Sequence, residues 1–233
     1  MTLPAHWVDG EFAASVAAGD RGLAYGDGLF ETFRVCAGKI HLWSYHWQRL
    51  QRGLDVLQIE CDRVRVEGAL RQGLDFMARE GIGDAAGRLT ITRGVSARGY
   101  ASPAGEPTLM LSLGDISPWG QTPPSQPARL CRTALAEQPL LAGLKHCNRL
   151  EQVLAARELA AGEAGVQLNS RGELVCAVSA NLFFADERRL VTPPLETAGV
   201  AGTVRQLIIE ELAPRAGQPV QVCNLVPGDI VRF

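Results

Sequence analysis

Leu140-Leu-Ala-Gly-Leu-Lys-His-Cys-Asn-Arg-Leu150 holds one of only two lysines in a chain of 233 residues; the other is Lys39, and every other basic side chain is an arginine. Chemistry that needs a primary amine therefore has two candidates. Lys145 stands in an apolar stretch that runs into a helical pattern, with Arg149 one turn further on. A lysine attacks carbon only when deprotonated, and a free one titrates near 10.4; burial and nearby positive charge lower that value. Local context alone leaves a plain surface lysine open.

Outward from Lys145, the spacing predicts a helix over 149–161 with Leu150, Val153 and Leu154 facing inward. Leu174 to Phe184 is a near-continuous apolar run that reads as a strand, and a short helix near Thr203 puts Val204, Leu207, Ile208 and Leu212 on one face. Towards the N-terminus, 31–36, 88–93 and 107–113 read as strands, the last two with alternating apolar residues. Ser44 is positioned to cap a helix with the stripe Trp47, Leu50, Leu54 and Leu57; Val66, Leu70, Leu74 and Met77 repeat that spacing. Ser117 to Pro127 contains four prolines, which remove backbone donors and disfavour helix, so it reads as an extended linker. Strands and helices mix without a regular βαβ rhythm. The expected fold is α+β in two subdomains, 1–115 and 129–233, joined by a linker over 116–128.

Net charge of −2 gives no electrostatic support for a nucleic-acid or membrane-surface partner. No apolar run approaches the roughly 20 residues that span a bilayer, and the first residues lack a basic segment followed by an apolar one. Six cysteines show no Cys-x-x-Cys or Cys/His spacing, so no metal site is expected and a reducing cytoplasm fits best. Small residues in Gly199-Val-Ala-Gly-Thr-Val-Arg205 precede the last helix, whose free N–H groups suit an anion. An ordinary Gly-Thr cap is the plainer reading. His46 and Arg49 share one helix face, and Arg49 has the planar fork that grips phosphate. Thr92-Arg-Gly-Val-Ser-Ala-Arg-Gly-Tyr100 reads as a loop whose Arg93 and Arg98 suit an anionic ligand, or as an unremarkable polar loop.

Five stretches in this order are similar to the fold type IV pyridoxal-phosphate enzymes, the group of branched-chain and D-amino-acid aminotransferases and aminodeoxychorismate lyase. They are Asp20-Arg-Gly-Leu-Ala-Tyr-Gly-Asp-Gly-Leu-Phe-Glu-Thr32, His46-x-x-Arg49-Leu50, Lys145 with Asn148-Arg149-Leu150, Ser179-Ala-Asn-Leu-Phe183 and Gly199 to Arg205. The 92–100 loop and Leu144 to Gln152 most resemble the lyase branch. The resemblance implies a smaller N-terminal α/β domain, a larger cofactor domain and a homodimer. It implies that Lys145 bonds covalently to the aldehyde of pyridoxal 5'-phosphate, that Arg49 and the amides of Thr203 and Val204 hold the phosphate, and that Arg98, with Arg93, clamps a substrate carboxylate. The implied reaction takes 4-amino-4-deoxychorismate to 4-aminobenzoate and pyruvate, in folate synthesis. An aminotransferase and a non-catalytic relative are the alternatives.

The sequence departs from the family pattern at two places. Cys176 stands where the family has a glutamate against the cofactor's ring nitrogen, and Glu173, three positions away, points to the other face of a strand. A neutral thiol makes a weaker electron sink than a carboxylate, which suits a lyase that gains an aromatic ring better than a transaminase. The chain also ends some tens of residues earlier than family members usually do.

Overall fold

The computed structural model describes residues 3–101, 105–116, 125–186 and 189–232. Residues 117–124 of the expected linker lie outside them. The chain forms two compact units, 1–120 with 145–148, and 121–144 with 149–233. Lys145 and the three residues after it thus pack with the N-terminal unit, although the sequence places them in the second subdomain.

The first unit is one antiparallel sheet with helices on it. In chain order it holds β1 (Ala5–Val8), β2 (Glu11–Phe12), α1 (Arg21–Tyr25), β3 (Gly28–Cys36), β4 (Lys39–Ile40), α2 (Trp43–Leu57), α3 (Arg63–Glu80), β5 (Asp84–Thr92) and β6 (Thr108–Gly114). The sheet order is β2-β1-β6-β5-β3-β4. The alternation read in the sequence is the core face: Leu89, Ile91, Leu109, Leu111 and Leu113 are buried, under α2 on β3 and α3 on β6. Asp62 caps α3 by accepting from the Arg65 amide at 2.7 Å. Ser44 does not cap α2. That helix starts one residue earlier, behind Leu42 at φ +55°, with no side-chain cap bond.

The second unit holds β7 (Ala128–Leu130), α4 (Leu150–Ala156), β8 (Ala164–Leu168), β9 (Leu174–Ala177), β10 (Phe184–Ala185), β11 (Leu190–Thr192), α5 (Thr203–Leu207), a π-helical turn (Ile208–Leu212), α6 (Ala213–Arg215) and β12 (Val220–Val222). It has two three-stranded sheets, β7-β8-β9 and β10-β11-β12. Two expectations are corrected here. The apolar run 174–184 is two strands, because the Ala177 amide turns back onto the Ala180 carbonyl at 2.8 Å and Asn181 bonds elsewhere. α4 ends at Ala156, and only Ala155 is buried on it; Leu150, Val153 and Leu154 are exposed in the single chain. On α5, Val204 is likewise exposed. All six cysteines are free thiols, and among the described residues no helix is long and apolar enough to cross a membrane.

Candidate active site

In the first unit the site grows from the start of β3. The segment 145–148 lies along that strand: the Phe30 amide donates to the Lys145 carbonyl at 2.9 Å, and the Cys147 amide to the Gly28 carbonyl at 2.9 Å. These bonds fix the backbone of Lys145 and leave its side chain half-buried, with Nζ 4.4 Å from the centre of the Phe30 ring. The Arg88 guanidinium lies 3.8 Å from the same ring. One aromatic side chain therefore carries two cations, each attracted by the ring's negative face.

Glu31, the next residue on β3, is 1% exposed and organises the motif of His46 and Arg49. Its carboxylate accepts from Arg49 Nε at 2.8 Å, again from Arg49 Nη2, and from His46 Nδ1 at 2.6 Å. Burial works to raise the Glu31 carboxyl, but the bonds from Arg49 and His46 outweigh it and hold it below its ordinary value. Arg49 thus enters any ligand interaction already oriented and partly neutralised, a partner the sequence reading did not assign it.

Arg93 is bonded into the framework. It donates to Asp27 through Nε at 2.8 Å and Nη2 at 3.2 Å, and to the carbonyls of Leu57 and Gln58 at the end of α2. Burial pushes the Asp27 carboxyl up, and bonds from Arg93 and Arg21 more than offset it, leaving it lowered. Arg98 is different: exposed, with no hydrogen-bond or ion-pair partner among the described residues. Its loop hangs on Arg21, a buried residue that the sequence reading quoted in its motif without a role. Arg21 Nη1 donates to the Gly99 carbonyl at 2.9 Å and the Ala101 carbonyl at 3.2 Å, and Nη2 to the Tyr100 carbonyl at 3.3 Å. The Tyr25 hydroxyl accepts from the Gly99 amide at 3.1 Å. Arg21→Ala is expected to speed amide exchange at Ser96 and Gly99 by about tenfold or more, with β5 unchanged, because it removes several charge-assisted bonds from a loop with few others. Unchanged exchange at both amides would contradict this account of the loop.

In the second unit the loop 199–202 leads into α5. Gly199 has φ +85° and Gly202 is pressed against Asn181, whose Oδ1 would lie 2.0 Å from an added Cβ. Asn181 bonds both sides of the loop, Nδ2 to the Val200 carbonyl at 2.9 Å and Oδ1 from the Gly202 amide at 3.1 Å. Gly202 supplies no side-chain cap, and the Thr203 and Val204 amides have no acceptor among the described residues. Two orphan donors at the positive end of a helix fit an anion. Gly143 pairs with this loop, donating to the Gly199 carbonyl at 2.9 Å and accepting from the Ala201 amide at 3.0 Å; it lies two residues before Lys145 in the chain. Cys176 on β9 borders the same loop, with Sγ 3.8 Å from where a Gly199 Cβ would stand. Burial pushes its thiol up to about 12, against a smaller opposite effect of Arg149, so it is uncharged at neutral pH. Glu173 precedes β9 and bonds with Asn169, Arg171 and Asn224, so it does not replace a carboxylate at position 176.

Comparison with known proteins gives the fold and the family. An aminodeoxychorismate lyase of Vibrio harveyi is 34% identical over 235 residues, covering 97% of this chain and 83% of that protein. The solved 4-amino-4-deoxychorismate lyase from Pseudomonas aeruginosa superposes with a TM-score of 0.86 at 42% identity, covering 97% of this chain and 84% of that one. A branched-chain aminotransferase from Thermoproteus uzoniensis shares the fold, with a TM-score of 0.84 at 19% identity over 98% of this chain and 80% of that one. The family model described as amino-transferase class IV matches residues 28–233, from the strand that carries Phe30 and Glu31 through the anion-fitting loop, and the chain belongs to that family.

Proposed function

We propose that this chain is a pyridoxal-phosphate-dependent lyase that converts 4-amino-4-deoxychorismate to 4-aminobenzoate and pyruvate, a step in folate synthesis. The observation that carries this reading is the 42% identity, over 97% of the chain, to a solved lyase of that name. The residues present fit the cofactor: an anchored, half-buried primary amine, two orphan helix-start amides, and glycines that keep the loop before them close-packed. When bound, pyridoxal phosphate accepts electron density from a carbon next to the bound nitrogen. Lys145 would hold its aldehyde carbon, Arg49 and the Thr203 and Val204 amides would hold its phosphate, and Cys176 would lie on the side of its ring. Released by the substrate amine, Lys145 Nζ would take the proton on the nitrogen-bearing ring carbon and give a proton to the enolpyruvyl group as its bond to the adjacent ring carbon breaks. Arg98 receives a substrate carboxylate, and Arg93 holds the frame from which the loop of Arg98 extends.

The active form is a homodimer in the cytoplasm. The exposed apolar side chains of α4 (Leu150, Val153 and Leu154) support a second copy, and six free thiols suit a reducing compartment. The cofactor subdomain is 129–233, behind the linker 116–128.

Purified protein mixed with pyridoxal phosphate is expected to turn yellow, to be fixed by borohydride on the peptide containing Lys145, and to release pyruvate from aminodeoxychorismate. Accumulation of a stable pyridoxamine form with an amino acid alone, and no pyruvate, would make it a transaminase. A colourless protein that borohydride leaves unmodified would make it a non-catalytic relative. Arg98→Ala is expected to raise KM by ten- to about a hundredfold, the worth of a charge-assisted bond of roughly 1.5–3 kcal/mol, while borohydride fixation stays intact.

A further inference from the structure

Gln167 is a buried polar side chain of the second unit that its own surroundings leave partly unsatisfied. It is 0% exposed, on β8, and directly opposite Cys176 on β9. Directly paired residues of an antiparallel ladder project from the same face with Cβ atoms about 5 Å apart. The Gln167 amide makes one long bond, Nε2 to the Thr133 carbonyl at 3.5 Å. That carbonyl fixes which end of the amide carries the hydrogens. The other end, Oε1, is a buried acceptor with no donor among the described residues. A strand irregularity follows Gln167 at Leu168. Burying an unpaired carbonyl oxygen is unfavourable, so such an atom calls for a donor that arrives with a ligand.

The pair has a short and a long member. Cys176 reaches only one heavy atom beyond Cβ, and it borders the Gly199 loop. We propose that Gln167 Oε1 accepts the ring-nitrogen proton of bound pyridoxal phosphate, with Cys176 as an uncharged neighbour, an assignment that rests on the function proposed above. The second strand then supplies a neutral acceptor next to a neutral thiol. Arg149 is the charged side chain that acts on Cys176. The ring proton is therefore held by an amide alone, more weakly than a carboxylate would hold it.

The test uses holoprotein reconstituted with cofactor carrying ¹⁵N at the ring nitrogen, whose chemical shift is followed against pH. Gln167→Met keeps the shape of the side chain and removes the acceptor. It is expected to lower the midpoint of ring protonation by about one unit or more, a tenfold loss of proton affinity. Gln167→Asn, which withdraws the oxygen by one methylene, should move the midpoint the same way and guards against a folding defect in the first variant. Titrations of both variants that coincide with that of the parent protein, with borohydride still fixing the cofactor on Lys145, overturn this assignment and leave the proposed function standing. Failure of the parent protein to form that adduct refutes the function and the assignment together.

Discussion

Lys145→Ala is expected to abolish borohydride fixation of the cofactor and to cut pyruvate release by about a thousandfold or more, while the protein stays folded. The size follows from removing two services at once, the nucleophile that holds the aldehyde and the base that moves the proton; proton transfer by a placed side chain alone contributes roughly 10²–10⁴-fold. The intact fold follows from the backbone. The bonds that seat residues 145–148 on β3 are made by the Lys145 carbonyl and the Cys147 amide, neither of which the substitution touches. The substitution also removes the packing of the side chain against Phe30. Lys145→Arg should not rescue turnover, because a guanidinium stays protonated and cannot take up a proton. Pyruvate release within tenfold of the parent rate in Lys145→Ala, with unchanged melting temperature, would remove Lys145 from the mechanism.

The elements legible in the sequence are those whose signal is local. α3 has an acidic cap at Asp62 and a regular apolar stripe, and β5 and β6 alternate strictly because one face of a half-buried sheet dictates it. The run 174–184 misled because apolar composition says nothing about a turn made by backbone bonds at 177–180. The α4 stripe misled for another reason: apolar residues at helical spacing need not face the core of their own chain, and spacing does not say which surface they meet. At the site, Lys145 stood out by scarcity, and Arg49 and the 199–205 loop by their chemistry. Their fixings did not. Glu31 lies 18 residues from Arg49 and Arg21 lies 78 from Gly99, and the pairings exist only once the sheet has formed. Arg93 and Arg98 look alike in the sequence; the acceptors that the fold brings to Arg93 tell them apart.

Glu31→Gln is the substitution expected to cost most in stability, about 3–5 kcal/mol at pH 7, because it leaves the Arg49 charge buried without its carboxylate. For a protein of this size that corresponds to a melting temperature lower by roughly 10 °C. The same pairing sets a pH dependence whose sign is fixed by the direction of the shift. The folded protein holds the Glu31 carboxyl below its ordinary value of 4.5, so the stabilisation is fully present above about pH 4.5 and is lost as pH falls through the folded value. Denaturant unfolding at pH 7 and at successively lower pH should therefore show the parent protein losing this increment on acidification, while Glu31→Gln, with no carboxyl to protonate, lacks that part of the decline. Arg49 in the variant is no longer fixed by two bonds to one acceptor, so cofactor affinity, read by spectral titration, should fall by about tenfold as well. If Glu31→Gln unfolds within about 1 kcal/mol of the parent at pH 7, the buried ion pair is not what holds β3 and α2 at the site, and Arg49 is positioned by the rest of the helix.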